Sequence, residues 1–185
     1  DTPLQHFEEY DVERLLQEIS RYKNYHSLCL TGGEPLLQVD FLKVFLPPAR
    51  LKGNKIYLET NGIRAEALAQ VIDQVDIVAM DFKLPSSTGR AAFWREHEAF
   101  LRAAIRRDVY IKMVVTEATR PEDIQAAGRI IKEVKPGVPV VLQPSWPQDM
   151  TTLSEKLMSL KRTLALGGIR DVRILPQAHK LVGIR

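Results

Sequence analysis

The chain has 185 residues, 45% apolar and 26% charged, with 26 Lys and Arg against 23 Asp and Glu for a net charge of +3. That length and balance fit one soluble domain with a real core, exclude global disorder, and leave too small a positive excess to argue by itself for nucleic-acid binding. One cysteine excludes an intramolecular disulfide framework and a self-contained multi-cysteine metal site, and it suits a reducing compartment.

No run approaches the roughly 18 apolar residues of a membrane span. The chain opens on Asp1-Thr2-Pro3 with neither an initiator methionine nor a signal pattern, as a processed or truncated chain does. His6, Glu8 and Glu9 follow without metal-ligand spacing. Val12, Leu15, Leu16, Ile19 and Tyr22 recur at helical spacing after Asp11, a good N-cap. Ser27 to Leu30 reads as a short buried-type strand, in which Cys29 is a small hydrophobe. A helix is expected from Val39 to about Phe45, with Pro47-Pro48 ending it or starting a new turn. Ile56 to Leu58 is the next strand, and Ala65, Leu68, Ile72 and Val75 mark a helix face. Ile77 to Met80 is a third strand, followed by a helix with Phe93, His97, Phe100, Leu101 and Ala104 inward. His97, among phenylalanines, reads as a packed and satisfied histidine.

Val109 to Val115 is rich in β-branched residues and reads as a strand. Thr119-x-x-Glu122 has the form of a capping box, and Ile124, Ala127, Ile131 and Val134 face inward behind it. Val138 to Leu142 is a strand, with Pro139 at its start. Leu153, Leu157, Leu160 and Leu164 line a helix that Gly167-Gly168 ends, and Val172 to Leu175 is a last strand. This strand–helix alternation predicts an α/β fold, a parallel sheet with alternating helices, open or closed into a barrel. No linker, repeat or low-complexity segment interrupts residues 1–185, which read as a single domain.

In such folds ligands sit at the C-terminal strand ends. Here those ends carry Thr31-Gly32-Gly33-Glu34-Pro35, Glu59-Thr60-Asn61-Gly62, Asp81-Phe82-Lys83 with Pro85-Ser86-Ser87, Thr116-Glu117, Gln143-Pro144-Ser145 and Pro176-Gln177-Ala178-His179-Lys180. Lys112 lies within the fourth strand. This mixture suits a polar zwitterion better than a bare phosphate. The paired glycines let backbone approach a ligand, Glu34 can accept from an ammonium, and Lys83 can meet a carboxylate.

The Thr31-to-Pro35 run resembles the Gly-Gly-Glu motif of radical S-adenosylmethionine (SAM) enzymes. Together with Glu59-Thr60-Asn61-Gly62, Asp81-x-Lys83-x-Pro85-Ser86-Ser87, Leu142-Gln143-Pro144 and Pro176-Gln177-x-His179-Lys180, it is similar to the 7-carboxy-7-deazaguanine synthase family over nearly the whole chain. The resemblance implies a partial (β/α) barrel of radical SAM type and a carbon–nitrogen lyase. That lyase converts 6-carboxy-5,6,7,8-tetrahydropterin to 7-carboxy-7-deazaguanine with loss of ammonia, on the route to queuosine and related deazapurines. It implies SAM, a [4Fe-4S] cluster and Mg²⁺ as cofactors, a cytoplasmic homodimer, an electron donor such as flavodoxin or ferredoxin, and no direct nucleic-acid or membrane partner.

By position the resemblance assigns SAM contacts to Gly32, Gly33, Glu34, Glu59, Asn61, Asp81, Lys83, Ser87 and Gln143. It assigns substrate contacts to Thr31, Gln177, His179 and Arg185, and a Mg²⁺ contact to Thr2. The family's three cluster cysteines precede an Asp-Thr pair like Asp1-Thr2, so the cluster ligands and a first strand are expected upstream of Asp1. Two other readings remain: a radical SAM activase making a glycyl radical on a partner protein, and a cluster-less SAM-binding domain. A phosphate-binding α/β protein fits less well, because no glycine-rich phosphate loop is present.

Overall fold

The computed structural model describes residues 10–145 and 150–176. Six parallel strands form one sheet: β1 (Leu28–Leu30), β2 (Ile56–Thr60), β3 (Ile77–Asp81), β4 (Asp108–Val115), β5 (Val140–Pro144) and β6 (Val172–Ile174). Their spatial order is their order in the chain. Each strand is therefore hydrogen-bonded to its neighbours in sequence, and all the C-terminal ends lie along one edge. β1 and β6 stand at opposite margins, so the sheet is open, in keeping with a partial barrel.

Helices α1 (Val12–Ser20), α2 (Val39–Leu51), α3 (Ala65–Val71), α5 (Trp94–Ala104), α6 (Pro121–Val134) and α7 (Met150–Leu166) pack side by side in that order. A four-residue helix, α4 (Pro85–Thr88), follows β3. The helix layer covers one face of the sheet. Ile56 and Leu58, Val78 and Met80, Ile111 and Met113, and Val140 and Leu142 point into it and are fully buried. They meet Phe45, Leu68, Phe100, Ile124, Ile131, Leu157 and Leu164 in one continuous core.

Several local expectations are met. The Asp11 carboxylate caps α1 by accepting the Arg14 N–H at 2.8 Å. Gly168, at φ +99°, closes α7 in the left-handed region, with its N–H on the Ala165 carbonyl. His97 is fully buried, as expected. Trp94 packs on Phe82, with ring centroids 6.0 Å apart.

Other expectations are corrected. Cys29 is exposed rather than buried, because it lies on an edge strand and points away from the helices. Pro47-Pro48 does not stop α2, which runs on to Leu51. The carbonyls deprived of an i→i−4 partner belong to Lys43 and Val44, both exposed, while Phe45, Leu46 and Ala49 anchor the helix on either side. The capping box is not formed: α6 begins after Arg120, and the Thr119 hydroxyl accepts the Thr116 N–H at 2.8 Å instead.

At the opposite edge of the sheet, Asp76 ties β2 to α2. Its Oδ2 accepts the Ile56 N–H at 2.7 Å and Arg50 Nη1 at 2.6 Å. Burial pushes the carboxyl up, but the Ile56 amide and the Arg50 guanidinium outweigh it and hold the carboxyl below its ordinary value. A depressed carboxyl contributes stability above its unfolded-state value and loses it as pH falls through the folded value. Asp76→Ala is expected to cost about 1–3 kcal/mol near neutral pH. In urea unfolding, the gap between variant and wild type should close as the solution is acidified through the carboxylate range.

Candidate active site

Strand side chains alternate between faces, so the residues between the core positions emerge on the side that no described helix covers. On β4 these are Tyr110, Lys112 and Val114, interleaved with buried Val109, Ile111, Met113 and Val115. On β2 they are Tyr57 and Glu59, on β3 Ala79 and Asp81, and on β5 Val141 and Gln143. Ala79 lies in register with Glu59 on one side and Tyr110 on the other. Its small side chain leaves room for long ones to meet across β3. Lys112 Nζ donates to Glu59 Oε1 over that strand, and the hydroxyls of Tyr57 and Tyr110 share a hydrogen bond.

A second ion pair sits one step toward the strand ends, where Lys83 Nζ lies 2.5 Å from Asp81 Oδ2. Thr31 Oγ1 donates to Glu59 Oε2 at 3.3 Å, joining the loop after β1 to the same network. Burial alone would push Glu59 up. The hydrogen bond and charge of Lys112 outweigh it and keep the carboxyl below the usual range. Burial likewise works against the charge on Lys112, yet Glu59 and Asp81 hold its ammonium above its ordinary value. The pair is therefore ionised across the neutral range.

Above this network, at the C-terminal strand ends, opens a cavity of about 590 Å³. Among its lining residues are Thr31, Gly32, Gly33, Glu59, Asn61, Asp81 and Lys83, so most of the expected contacts that lie among the described residues come together; Glu34, Ser87 and Gln143 do not line it. Gly32 has φ +126°, a conformation that all but requires glycine. One oxygen of Asp81, Oδ1, is buried without a hydrogen-bond partner. Thr60, Ile63, Thr88, Arg90 and Phe93 also line the cavity.

Glu34 is placed differently from a simple ligand. Its Oε1 accepts from Thr60 Oγ1 at 2.7 Å and from the Leu36 N–H at 3.2 Å, and its Oε2 accepts the Asn61 N–H at 2.8 Å. The carboxylate thus pins the glycine loop after β1 to the loop after β2. The Ser87 hydroxyl is bonded to Thr119 Oγ1 at 2.7 Å, and Gln143 stands half-buried on β5. Thr2, Gln177, His179 and Arg185 lie outside the described residues.

Tyr57, Tyr110 and Arg90 are missing from the sequence reading of the site, which noted Lys112 on its strand and Phe93 on a helix face without giving either a role there. A lysine and a tyrosine two apart in a β-branched strand are the signal for Lys112 and Tyr110, since that spacing puts both on one face. Arg90 lies in the polar stretch before α5, where spacing says nothing about direction, and Phe93, expected inward on the helix, is instead the half-buried N-cap of α5 and faces the cavity.

The model of the radical SAM superfamily matches residues 2–127. A 7-carboxy-7-deazaguanine synthase from Geobacter sulfurreducens is 40% identical over 160 residues, covering 86% of this chain and 64% of that protein. Proteins of the same name from Thermoplasma acidophilum and Thermococcus kodakarensis are 29% and 30% identical, over 84% and 94% of this chain and 66% and 70% of their own lengths. The chain thus spans about two thirds of the length of these relatives. It belongs to the radical SAM superfamily and, within it, to the 7-carboxy-7-deazaguanine synthase family.

The family implies SAM and a [4Fe-4S] cluster. The cavity fits SAM: carboxylates and a lysine suit an ammonium and a carboxylate, a glycine turn admits close approach, and the volume lies in the range of small-molecule sites, about 300–1,000 Å³. The cluster does not fit this chain alone, because it needs several thiolates and Cys29 is the one cysteine. Among the described residues no group of His, Cys, Asp and Glu is disposed to hold a metal ion. Among them, too, no helix is long and apolar enough to cross a membrane.

Lys112→Met keeps most of the length of the side chain and removes its charge. Burial would then act on Glu59 with less opposition, so its carboxyl should titrate at higher pH than in wild type. Carbon-detected NMR of the glutamate carboxyls would follow this; an unmoved Glu59 would show that Lys112 does not control it.

Proposed function

We propose that this chain is the SAM- and substrate-binding body of a 7-carboxy-7-deazaguanine synthase. Its reaction would convert 6-carboxy-5,6,7,8-tetrahydropterin to 7-carboxy-7-deazaguanine with loss of ammonia, on the way to queuosine and related deazapurines. The observation that carries this reading is the convergence of the strand-end residues on one polar cavity, in a chain whose relatives bear that enzyme's name. None of those names supports the glycyl-radical reading.

In this reading, reductive cleavage of SAM supplies the radical that takes hydrogen from the pterin. The protein's part is to hold both molecules in register and exclude water. The Gly32-Gly33 turn brings backbone against the methionyl end of SAM, and Lys83 and Asp81 face its charged groups. Glu34 contributes chiefly by pinning that turn. A carboxylate offers about four acceptor sites, and three are taken, so one remains for an ammonium. Asn61, Ser87 and Gln143 complete the SAM contacts.

Thr31 and the ionised Glu59–Lys112 pair would bound the substrate side, and the resemblance gives Gln177, His179 and Arg185 to the substrate as well. Thr2 would help hold Mg²⁺, as the resemblance implies. The cluster is bound by residues beyond this chain. The protein works as a cytoplasmic homodimer fed by a small electron-transfer protein such as a flavodoxin or ferredoxin.

The test uses the full-length, cluster-loaded protein with SAM, reductant and the carboxy-tetrahydropterin. Chromatography should show the deazapurine forming as SAM is consumed. SAM cleavage without deazapurine would reject the substrate. Lys83→Ala should weaken SAM binding roughly tenfold or more, the worth of a charged hydrogen bond; calorimetry would detect an unchanged affinity.

A further inference from the structure

We propose that His97, which lies in the helix layer, is a positioning residue. It would set the spacing of the two loops that flank the cavity and thereby the affinity for SAM. The inference rests on reading the cavity as the SAM site. His97 is fully buried on α5. Its Nδ1 is 2.9 Å from the Gly62 carbonyl oxygen, and its Nε2 accepts the Lys83 N–H at 3.0 Å. One ring thus spans the loop after β2 and the loop after β3.

The protonation state follows from the partners. A backbone amide only donates, so Nε2 carries no proton. A carbonyl only accepts, so Nδ1 carries it. The ring is neutral in a single tautomer, and burial, which pushes its pKa down, keeps it so. Phe82 lies against the ring at 4.2 Å between centroids, and Phe93 meets it edge-on at 6.3 Å, which leaves it little freedom to turn.

The clamp acts one residue from the ligand-facing groups. Asn61 precedes Gly62, and Lys83 is itself a cavity residue. Gly62, at φ +68°, is part of the fit: a Cβ there would stand 2.7 Å from Met80 Cγ and 3.4 Å from His97 Nδ1. The approach of loop to ring therefore depends on the glycine. Breaking the clamp would let the Asn61 and Lys83 loops separate without removing any atom that touches ligand. That is the signature of a positioning group rather than a contact.

His97→Leu removes both hydrogen bonds. His97→Gln reaches the Lys83 amide with its side-chain oxygen, and His97→Asn reaches only the Gly62 carbonyl. Each is made in the full-length, cluster-loaded protein. Urea unfolding and SAM affinity by calorimetry are measured separately, and hydrogen exchange follows the Lys83 amide. In the folded Leu variant, SAM affinity should fall roughly tenfold to a hundredfold, as misplacement does at a distance from the chemistry. The Lys83 amide should exchange faster, and Gln should recover most of the affinity while Asn recovers less.

If the Leu variant does not fold, the order wild type, Gln, Asn decides the matter. Folded variants that all bind SAM as wild type does would overturn the proposal, even if they are less stable. Wild-type protein that does not bind SAM would instead reject the site reading. The Lys83 amide, slow in wild type and fast in the variants, would then still report the clamp.

Discussion

Every strand of the sheet runs the same way and lies beside its neighbour in the chain, and this constraint decides where the chemistry is placed. With the order β1 to β6 unbroken, all the strand ends come to one edge, and the turns there must reverse the chain into the helix layer. Whatever those turns carry is gathered in one place. Residues as far apart in sequence as Thr31, Asn61 and Lys83 line one cavity for that reason. The turns at this edge carry the polar groups while the core beneath them stays closed.

The same geometry loads the uncovered face with charge. Once the odd positions of β4 are given to the core, Lys112 has nowhere to go but the other side, where burial penalises an isolated ammonium. The structure answers with Glu59 from two strands away, reached over Ala79. A second pair, Asp81 with Lys83, sits above it. Fixed charges of both signs beneath a cavity are an electrostatic environment set before any ligand arrives, the kind that stabilises developing charge without reorganising.

Most of this architecture is legible in the sequence, because parallel strands and amphipathic helices write different periods. All six strands and the residues at their ends follow from that contrast. The failures are local and have physical causes. Pro47-Pro48 reads as a helix end, but the carbonyls left unpaired belong to exposed residues and the flanking core contacts hold the helix together. Thr119 to Glu122 has the letters of a capping box, yet Ser87 and the Thr116 turn compete for the threonine hydroxyl. Cys29 looks buried because its neighbours are apolar, and only its place on an edge strand shows otherwise.

Within the site, the type of each residue is easier to read than its partner. Glu34 is conspicuous in the sequence, but nothing there says that two of its three bonds go to Thr60 and Asn61. His97 is correctly taken for a packed histidine. Packing and function are not alternatives in its case, because the groups it satisfies belong to the rim of the cavity.

The paired hydroxyls of Tyr57 and Tyr110 have an optical consequence. Burial first, and then the bond to Tyr110, drive the Tyr57 phenol far above its ordinary value. In alkali most tyrosines ionise and absorb further into the near ultraviolet, but Tyr57 stays silent for as long as the sheet holds it against its partner. Its phenolate band would appear only when the strands part. The uncovered face of the sheet thus carries a chromophore, supplied by the native chain, that signals whether β2 and β4 still hold their places.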